Sequence, residues 1–283
     1  MPLLYFWRSD NYRRDLDMGA GYNLNQANPV LHNIEIGDSL WAFTRNRIGD
    51  YVIAAELVVS AKTRNPKTFR YGAYRVWGDL KKSRHFQVDH QTSAEHVIRS
   101  LSCSAKADLL GRSFQGRSAV RAIADADHRL LCTFAESLRP EPRARLIPEG
   151  QLEQEIAKGS QEDVCRLLDG MPHGIARERL QYLYTKARTR SRRFAIELHD
   201  LYEGKCQICL WDPCGQYGRP LCQGHHIHWL SRGGEDNLEN MILVCPNHHA
   251  AIHHCDASFD FEDMSFVFPG GRGTLQLNTH LRS

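Results

Sequence analysis

The chain has 283 residues, 42% hydrophobic and 24% charged, the balance of a globular protein long enough to form two domains. A formal net charge of +3, with 15 histidines counted neutral, does not by itself call for a nucleic-acid partner and still allows a local basic patch. No stretch is long and uncharged enough to span a bilayer, and the apolar run after Met1 is too short and badly flanked for a signal peptide. The sequence therefore predicts a cytoplasmic protein without a membrane partner. In that compartment nine cysteines suggest metal ligands or free thiols before disulfides.

Residues 1 to 138 read as a β-rich domain. Tyr5-Phe6-Trp7, Leu40 to Phe43, the long run Tyr51 to Val59 and Tyr74 to Trp77 are strand-like, and Gly37-Asp38 and Gly49-Asp50 supply turn signals. Helices are predicted around Ser93 to Leu101 and Gly116 to Ala126, the second because Val120 and Ile123 recur at helical spacing. Arg139-Pro140-Glu141-Pro142-Arg143, reinforced by Pro148-Glu149-Gly150, marks a linker. It opens a helical region over residues 139 to 198, with Leu152, Ile156, Val164 and Leu167 on one segment. A second segment runs from Ile175 to Tyr202 and ends at Gly204. Residues 199 to 283 are dense in Cys, His and Gly, with strand-like pieces at Ser265 to Phe268 and Leu275 to Leu277.

The chemistry concentrates in this last part. Cys206/Cys209 and Cys245/His248 each have the two-residue gap that lets both side chains grip one ion. Together they offer three thiolates and one imidazole, a closed tetrahedral structural zinc site. His249 and His253 are four apart, on one face of any helix opened by Pro246, whereas His248 points about 100° away around the axis. One helix can thus serve two ions. A third imidazole from His225 completes an open three-histidine site suited to a catalytic ion. His226 is then an uncoordinated imidazole beside that ion, fit to act as a general base. In a regular strand His225 and His226 face opposite sides, so both reach one site only if the strand ends or twists there. Cys214, Cys222 and Cys255 fit no ligand pair and read as ordinary thiols, Cys222 being able to compete for zinc.

Tyr202-x-Gly204-Lys205-Cys206-x-x-Cys209, Gly224-His225-His226-Ile227, Gly233-Gly234, Asn237-Leu238-x-Asn240 and Leu243-x-Cys245-Pro246-Asn247-His248-His249 resemble zinc-ribbon HNH endonucleases over about 80 residues. The resemblance implies a ββα-metal fold. His225, His249 and His253 would be ligands of the catalytic ion (Mg2+, Mn2+, Ni2+ or Zn2+), and His226 the general base. Asn240 would orient the hairpin by hydrogen bonds, and a structural Zn2+ would sit on Cys206, Cys209, Cys245 and His248. His248 stands where many members have a cysteine, and His225 where many have an aspartate. The family precedent implies hydrolysis of DNA phosphodiester bonds to 5′-phosphate and 3′-hydroxyl ends. Because one such site cuts one strand at a time, double-strand cleavage would favour a homodimer.

Two further readings concern the target. The run Lys186 to Arg193 carries five basic residues in eight positions, and Arg188, Arg190, Arg192 and Arg193 are candidates for the phosphate backbone. Asn25-Gln26-Ala27-Asn28-Pro29, Gly37-Asp38-x-Leu40 and Ser113-Phe114-Gln115-Gly116-Arg117 resemble elements of EVE domains of the PUA-like superfamily. That resemblance implies a β-barrel reader of a modified base, with Trp7, Ser9, Tyr22 and Trp41 as pocket candidates by residue type alone. The expectation is an α+β protein: a PUA-like β-barrel at 1–138, a helical linker at 139–198 and a ββα-metal nuclease domain with structural zinc at 199–283. It would act on double-stranded DNA carrying a modified base, in restriction of foreign DNA. The alternatives are a non-cutting zinc-dependent DNA-binding module, or a nuclease for repair or for RNA.

Overall fold

A computed structural model describes residues 1–19, 21–104, 108–143, 149–170 and 177–282. The chain forms two compact units, residues 1–62 with 67–145 and residues 63–66 with 146–283. No helix among the described residues is long and apolar enough to cross a membrane.

The first unit is a mixed α+β fold. Its strands are β1 (Leu3–Phe6), β2 (Asn23–Gln26), β3 (Ser39–Arg45), β4 (Tyr51–Arg64), β5 (Tyr74–Gly78), β6 (Arg84–His85) and β7 (Val120–Ala122). They form one sheet in the order β2-β5-β4-β3-β1-β7, with β6 on β4 and β1 parallel to β3. Because β2 and β7 end the order, the sheet is a half-barrel rather than a closed barrel among the described residues. Alternation along the strands gives it two apolar faces. Leu3, Tyr5, Leu40 and Val52 belong to one cluster, with Tyr12 and Leu16 of α1 (Ser9–Met18). Leu4, Trp41, Phe43 and Ile53 join the other, with Val97 and Ile98 of α2 (Glu95–Ser100), Leu110 of α3 (Leu110–Ser113) and Leu131 of α4 (Asp125–Ala135).

The predicted strands are all present, and α2 answers the helix expected around Ser93 to Leu101. The helix expected over Gly116 to Ala126 is not formed. Val120 lies in β7 opposite Tyr5, and the Ile123 amide donates to the Pro2 carbonyl at 3.0 Å, so the three-residue spacing reflects strand and bridge burial. The helix begins at Asp125. α1 escapes sequence reading because only Tyr12 and Leu16 of its ten residues are buried.

His85 lies in this core, 6% exposed, with Nε2 at 3.0 Å from the Gly21 carbonyl. Burial, the largest influence, pulls its pKa from 6.5 down to about 4. The unfolded chain therefore binds a proton that the native core refuses. This contribution is full above pH 6.5 and is lost as pH falls toward 4. The loss should reach about 3 kcal/mol, and denaturant melts of His85→Gln should show a flatter pH profile over that window. An unchanged profile would remove the assignment.

The second unit begins with helices α5 (Glu149–Lys158), α6 (Gln161–Asp169) and α7 (Arg177–Thr189), whose Leu152, Ile156, Val164, Leu168, Leu183 and Ala187 pack around Leu230. The single segment predicted from Ile175 to Tyr202 is two helices, α7 and α8 (Arg193–Leu201); its predicted start at Ile175 lies outside the described residues. The break falls where the Ser191 amide donates to Asp236 Oδ2 at 2.6 Å instead of continuing the helical ladder. Past α8, Gly204 takes φ 72°, the left-handed conformation its predicted end position calls for. Then come α9 (Pro213–Tyr217), the antiparallel pair β8 (Gln223–His226) and β9 (Met241–Val244), and α10 (Pro246–Cys255). The three-stranded sheet β10 (Ser258–Asp260), β11 (Ser265–Phe268) and β12 (Gly271–Thr274) closes the unit. The strand predicted at Leu275 to Leu277 is displaced: the chain turns at Pro269-Gly270 and pairs at once, so β12 ends before Leu275.

Candidate active site and metal-ligand clusters

Two groups of metal-ligating side chains share α10. Cys245 is its N-cap, with Sγ accepting from the His248 amide, and Pro246 opens its first turn. On one side Cys245 Sγ and Cys206 Sγ lie 3.2 and 3.7 Å from His248 Nδ1, and Cys209 Sγ lies 4.0 Å from Cys245 Sγ. A tetrahedral zinc ion with ordinary bond lengths needs S···S edges of about 3.8 Å and S···N edges of about 3.6 Å, so these four donors fit it. Cys222 is buried nearby, and burial first, then the neighbouring cysteines, push its thiol up to about 12. It is not one of the four donors gathered within reach of one ion.

On the other side of α10, His249 and His253 face His225 of β8. Ring centroids are 5.1 Å apart for His225–His249, 4.8 Å for His225–His253 and 4.7 Å for His249–His253. One nitrogen from each ring lies within 4.8 Å of the others. Burial, then the neighbouring imidazoles, hold His225 well below its ordinary pKa; burial also lowers His249, and brings His253 to about 4. All three rings are thus neutral at neutral pH, the state in which imidazole donates a lone pair to a metal. His225 Nε2 and His253 Nδ1 are buried with no hydrogen-bond partner among the described residues. Buried polar nitrogens are ordinarily paired, so these donors fit a divalent cation.

His226 resolves the facing problem by ending the strand. It pairs with Met241, one register step after His225 pairs with Ile242, and both are 2% exposed. Its ring does not join the three-histidine group but sits between two carboxylates. Nε2 is 3.0 Å from Asp236 Oδ1, and Nδ1 is 3.7 Å from Glu153 Oε1. Asp236 also accepts from the Ser191 amide and meets Arg190 at 3.3 Å. Burial alone would raise the Asp236 carboxyl, but the His226 and Ser191 hydrogen bonds and Arg190 outweigh it and hold it below its usual range. Glu153 of α5 accepts from the Leu230 and Ser231 amides at 2.9 and 2.7 Å.

Asn240 braces the loop between β8 and β9. Its Oδ1 accepts from the His228 amide, and its Nδ2 donates to the His228 and Glu235 carbonyls, all at 2.8 Å. Those bonds fasten both ends of the loop that carries Asp236.

This ββα arrangement of two strands and α10 coincides with a known family. Residues 206–254 are an HNH endonuclease domain. Over 50 residues the chain is 34% identical to a type IV methyl-directed restriction enzyme, EcoKMcrA, of Escherichia coli (strain K12), a stretch covering 18% of each protein. A solved modification dependent TagI restriction endonuclease overlays 33% of this chain and 34% of its own, at 26% identity and a TM-score of 0.28. The solved type IV phosphorothioation-dependent restriction endonuclease ScoMcrA overlays 86% of this chain and 44% of its own, at 14% identity and a TM-score of 0.20. The chain thus spans less than half of each of these proteins.

Outside the HNH domain the sequence candidates fare differently. Arg188, Arg192 and Arg193 are exposed, but the Arg190 side chain is only 6% exposed and pairs with Asp236. Arg190 is therefore corrected from a backbone-contact candidate to a partner of the His226 network. Trp7, Tyr22 and Trp41 are 6%, 3% and 0% exposed, and Trp7 packs edge-on against Tyr12 at 5.2 Å. These three rings belong to the core and offer no open stacking face; Ser9, at the start of α1, is half-buried. Glu56, His128 and Cys132 form a third cluster, but Arg84 already binds Glu56 at 2.6 Å and the Trp41 indole N–H donates to His128 Nδ1 at 2.9 Å. That bond places the neutral imidazole's proton on Nε2, so the ring has no lone pair left for a metal.

Sequence reading missed Glu153 and Asp236. Asp236 had a faint signal, an acid in the loop between Gly233-Gly234 and Asn237. Glu153 had none, because it arrives from a helix outside the motif.

Proposed function

We propose that the chain is a metal-dependent endonuclease hydrolysing DNA phosphodiester bonds, used in modification-dependent restriction of foreign DNA. The observation that carries this reading is the meeting of three neutral imidazoles, two with orphaned buried nitrogens, beside a separate Cys3His cluster on the same helix. His225, His249 and His253 would hold one divalent ion, and Cys206, Cys209, Cys245 and His248 a structural zinc. The catalytic ion, when bound, supplies positive charge to the scissile phosphate and the departing oxygen. His226 is the general base. With Nε2–H given to Asp236, its free lone pair lies on Nδ1, and that nitrogen takes the proton of the attacking water. Asp236 fixes the tautomer, the Glu153 carboxylate beside Nδ1 stabilises the imidazolium that forms there, and Asn240 keeps the loop of Asp236 in place.

The first unit, with its half-barrel sheet and EVE-like motifs, is read as the PUA-like element that recognises the modified base. Double-strand cutting would use a homodimer, and the protein would act in the cytoplasm. A second reading, a non-cutting zinc-dependent DNA-binding module, draws on one observation: the His226 ring is 2% exposed and tied to Asp236. Incubation of purified protein with modified and unmodified plasmid, with divalent metal or with EDTA, separates them. Metal-dependent cutting of modified plasmid alone is the expected result. Binding without cutting under every metal would select the second reading, and equal cutting of both plasmids would remove modification dependence.

A further inference from the structure

The face of the β2–β5 pair turned away from the core cluster carries a charge that no carboxylate among the described residues answers. Leu24, Tyr74 and Val76 turn toward the core, so the alternate residues Asn23, Asn25, Arg75 and Trp77 share the opposite face, with Asn25 directly across from Arg75. Arg75 is 6% exposed. Its Nε donates to Asn25 Oδ1 at 2.6 Å, and its guanidinium lies 5.0 Å from the Trp77 ring and 5.2 Å from the Phe69 ring. Burial lowers its pKa to about 10, which leaves it charged at neutral pH, and no carboxylate among the described residues counters that burial.

Three other shielded arginines have acidic partners: Arg143 has Glu141 and Asp17, Arg190 has Asp236, and Arg232 has Asp256. Among the described residues Arg75 has no ion pair. A shielded cation without a counter-ion is costly to keep, unless a ligand supplies the negative charge. The walls are built as well. Gly72, at φ 101°, is pressed so closely on β2 that a Cβ there would lie 2.2 Å from the Ala27 nitrogen. That contact fixes the turn that carries Phe69, and Tyr71, 45% exposed, stands 5.8 Å from the Phe69 ring.

We infer that Arg75 binds a backbone phosphodiester of a nucleic-acid strand lying across this face. Asn25 holds the guanidinium in plane, Phe69 and Trp77 wall it, and Tyr71, with Arg70 over one face of its ring, offers its exposed part to the neighbouring sugar or base. This inference rests on DNA being the substrate.

Its test is fluorescence anisotropy on the full chain carrying His226→Ala, so that cutting does not consume the probe. The probes are a labelled 12-base-pair duplex and the matching single strand, titrated over a range of salt. Adding Arg75→Gln should weaken binding several-fold and make the salt dependence shallower by about one phosphate contact. The melting temperature should hold or rise, since a buried uncompensated charge is gone. Unchanged affinity and slope with a lowered melting temperature would make Arg75 structural and overturn the inference. If the Gln variant does not fold, Arg75→Lys replaces it. A phosphate contact then keeps its salt slope while affinity falls, whereas unaltered affinity overturns the contact. Plasmid cutting by the wild type with normal binding by Arg75→Gln removes this assignment alone; failure of the wild type to bind either probe removes the DNA reading beneath it.

Discussion

His226→Ala should lower the cleavage rate by about 10²- to 10⁴-fold, the usual share of a positioned general base. The proposed structural zinc should remain at full occupancy and DNA binding should persist, because His226 belongs to neither cluster of candidate ligands. The substitution leaves Asp236 and Glu153 facing an empty space, so some loss of stability is expected as well. Asp236→Asn separates the two effects. It keeps the shape and an acceptor oxygen while removing the anion that fixes the His226 tautomer, and should cut the rate by a smaller factor with little change in substrate affinity. Full activity in His226→Ala would withdraw the base assignment; zinc loss in that variant would instead mean that the two clusters are not independent.

Cys245→Ser should be the most damaging single change in the second unit. Cys245 is both a thiolate of the proposed zinc site and the N-cap of α10, the helix that bears His249 and His253. Structural zinc contributes about 10–16 kcal/mol in small zinc-binding domains, comparable to or above the whole stability of an ordinary domain at about 5–15 kcal/mol. Metal analysis should show zinc lost, thermal melts should lose the transition of this unit, and cutting should not return on adding Mg2+ or Mn2+. Cys222→Ser, at a buried thiol outside the ligand set, serves as the control and should keep zinc and activity. A Cys245→Ser protein that melts like the wild type with zinc retained would exclude the structural site.

The legible parts of the molecule are those governed by local spacing. The two-residue gaps at Cys206/Cys209 and Cys245/His248, and the helical turn between His249 and His253, fix side-chain direction within a few residues, and the structure brings each set together. Tyr51 to Val59 could be read as a strand because nearly every residue of it is buried. Sequence could not show which partner meets which side chain over long separations. Val120 and Ile123 look helical until β1 is placed beside them. Trp7 and Trp41 have the composition of a base pocket, but only the packed sheet shows them filled in from both sides. Arg190 looked like one more charge in a basic run until Asp236 was placed against it. Phe69 and Arg75 carry no motif at all; their association depends on how a turn is pressed against a strand.

Glu153 has a consequence for how such proteins are assembled. Its two oxygens close amides that lie 77 and 78 positions downstream, and its helix shares an apolar cluster with Leu230. A cutter trimmed to the motif would leave those two buried N–H groups unanswered and strip the cover from Leu230. The portable piece is therefore larger than the motif. Whether by recombination or in the laboratory, an exchange of the first unit has its seam ahead of α5, so that the second unit carries its own carboxylate clamp with it.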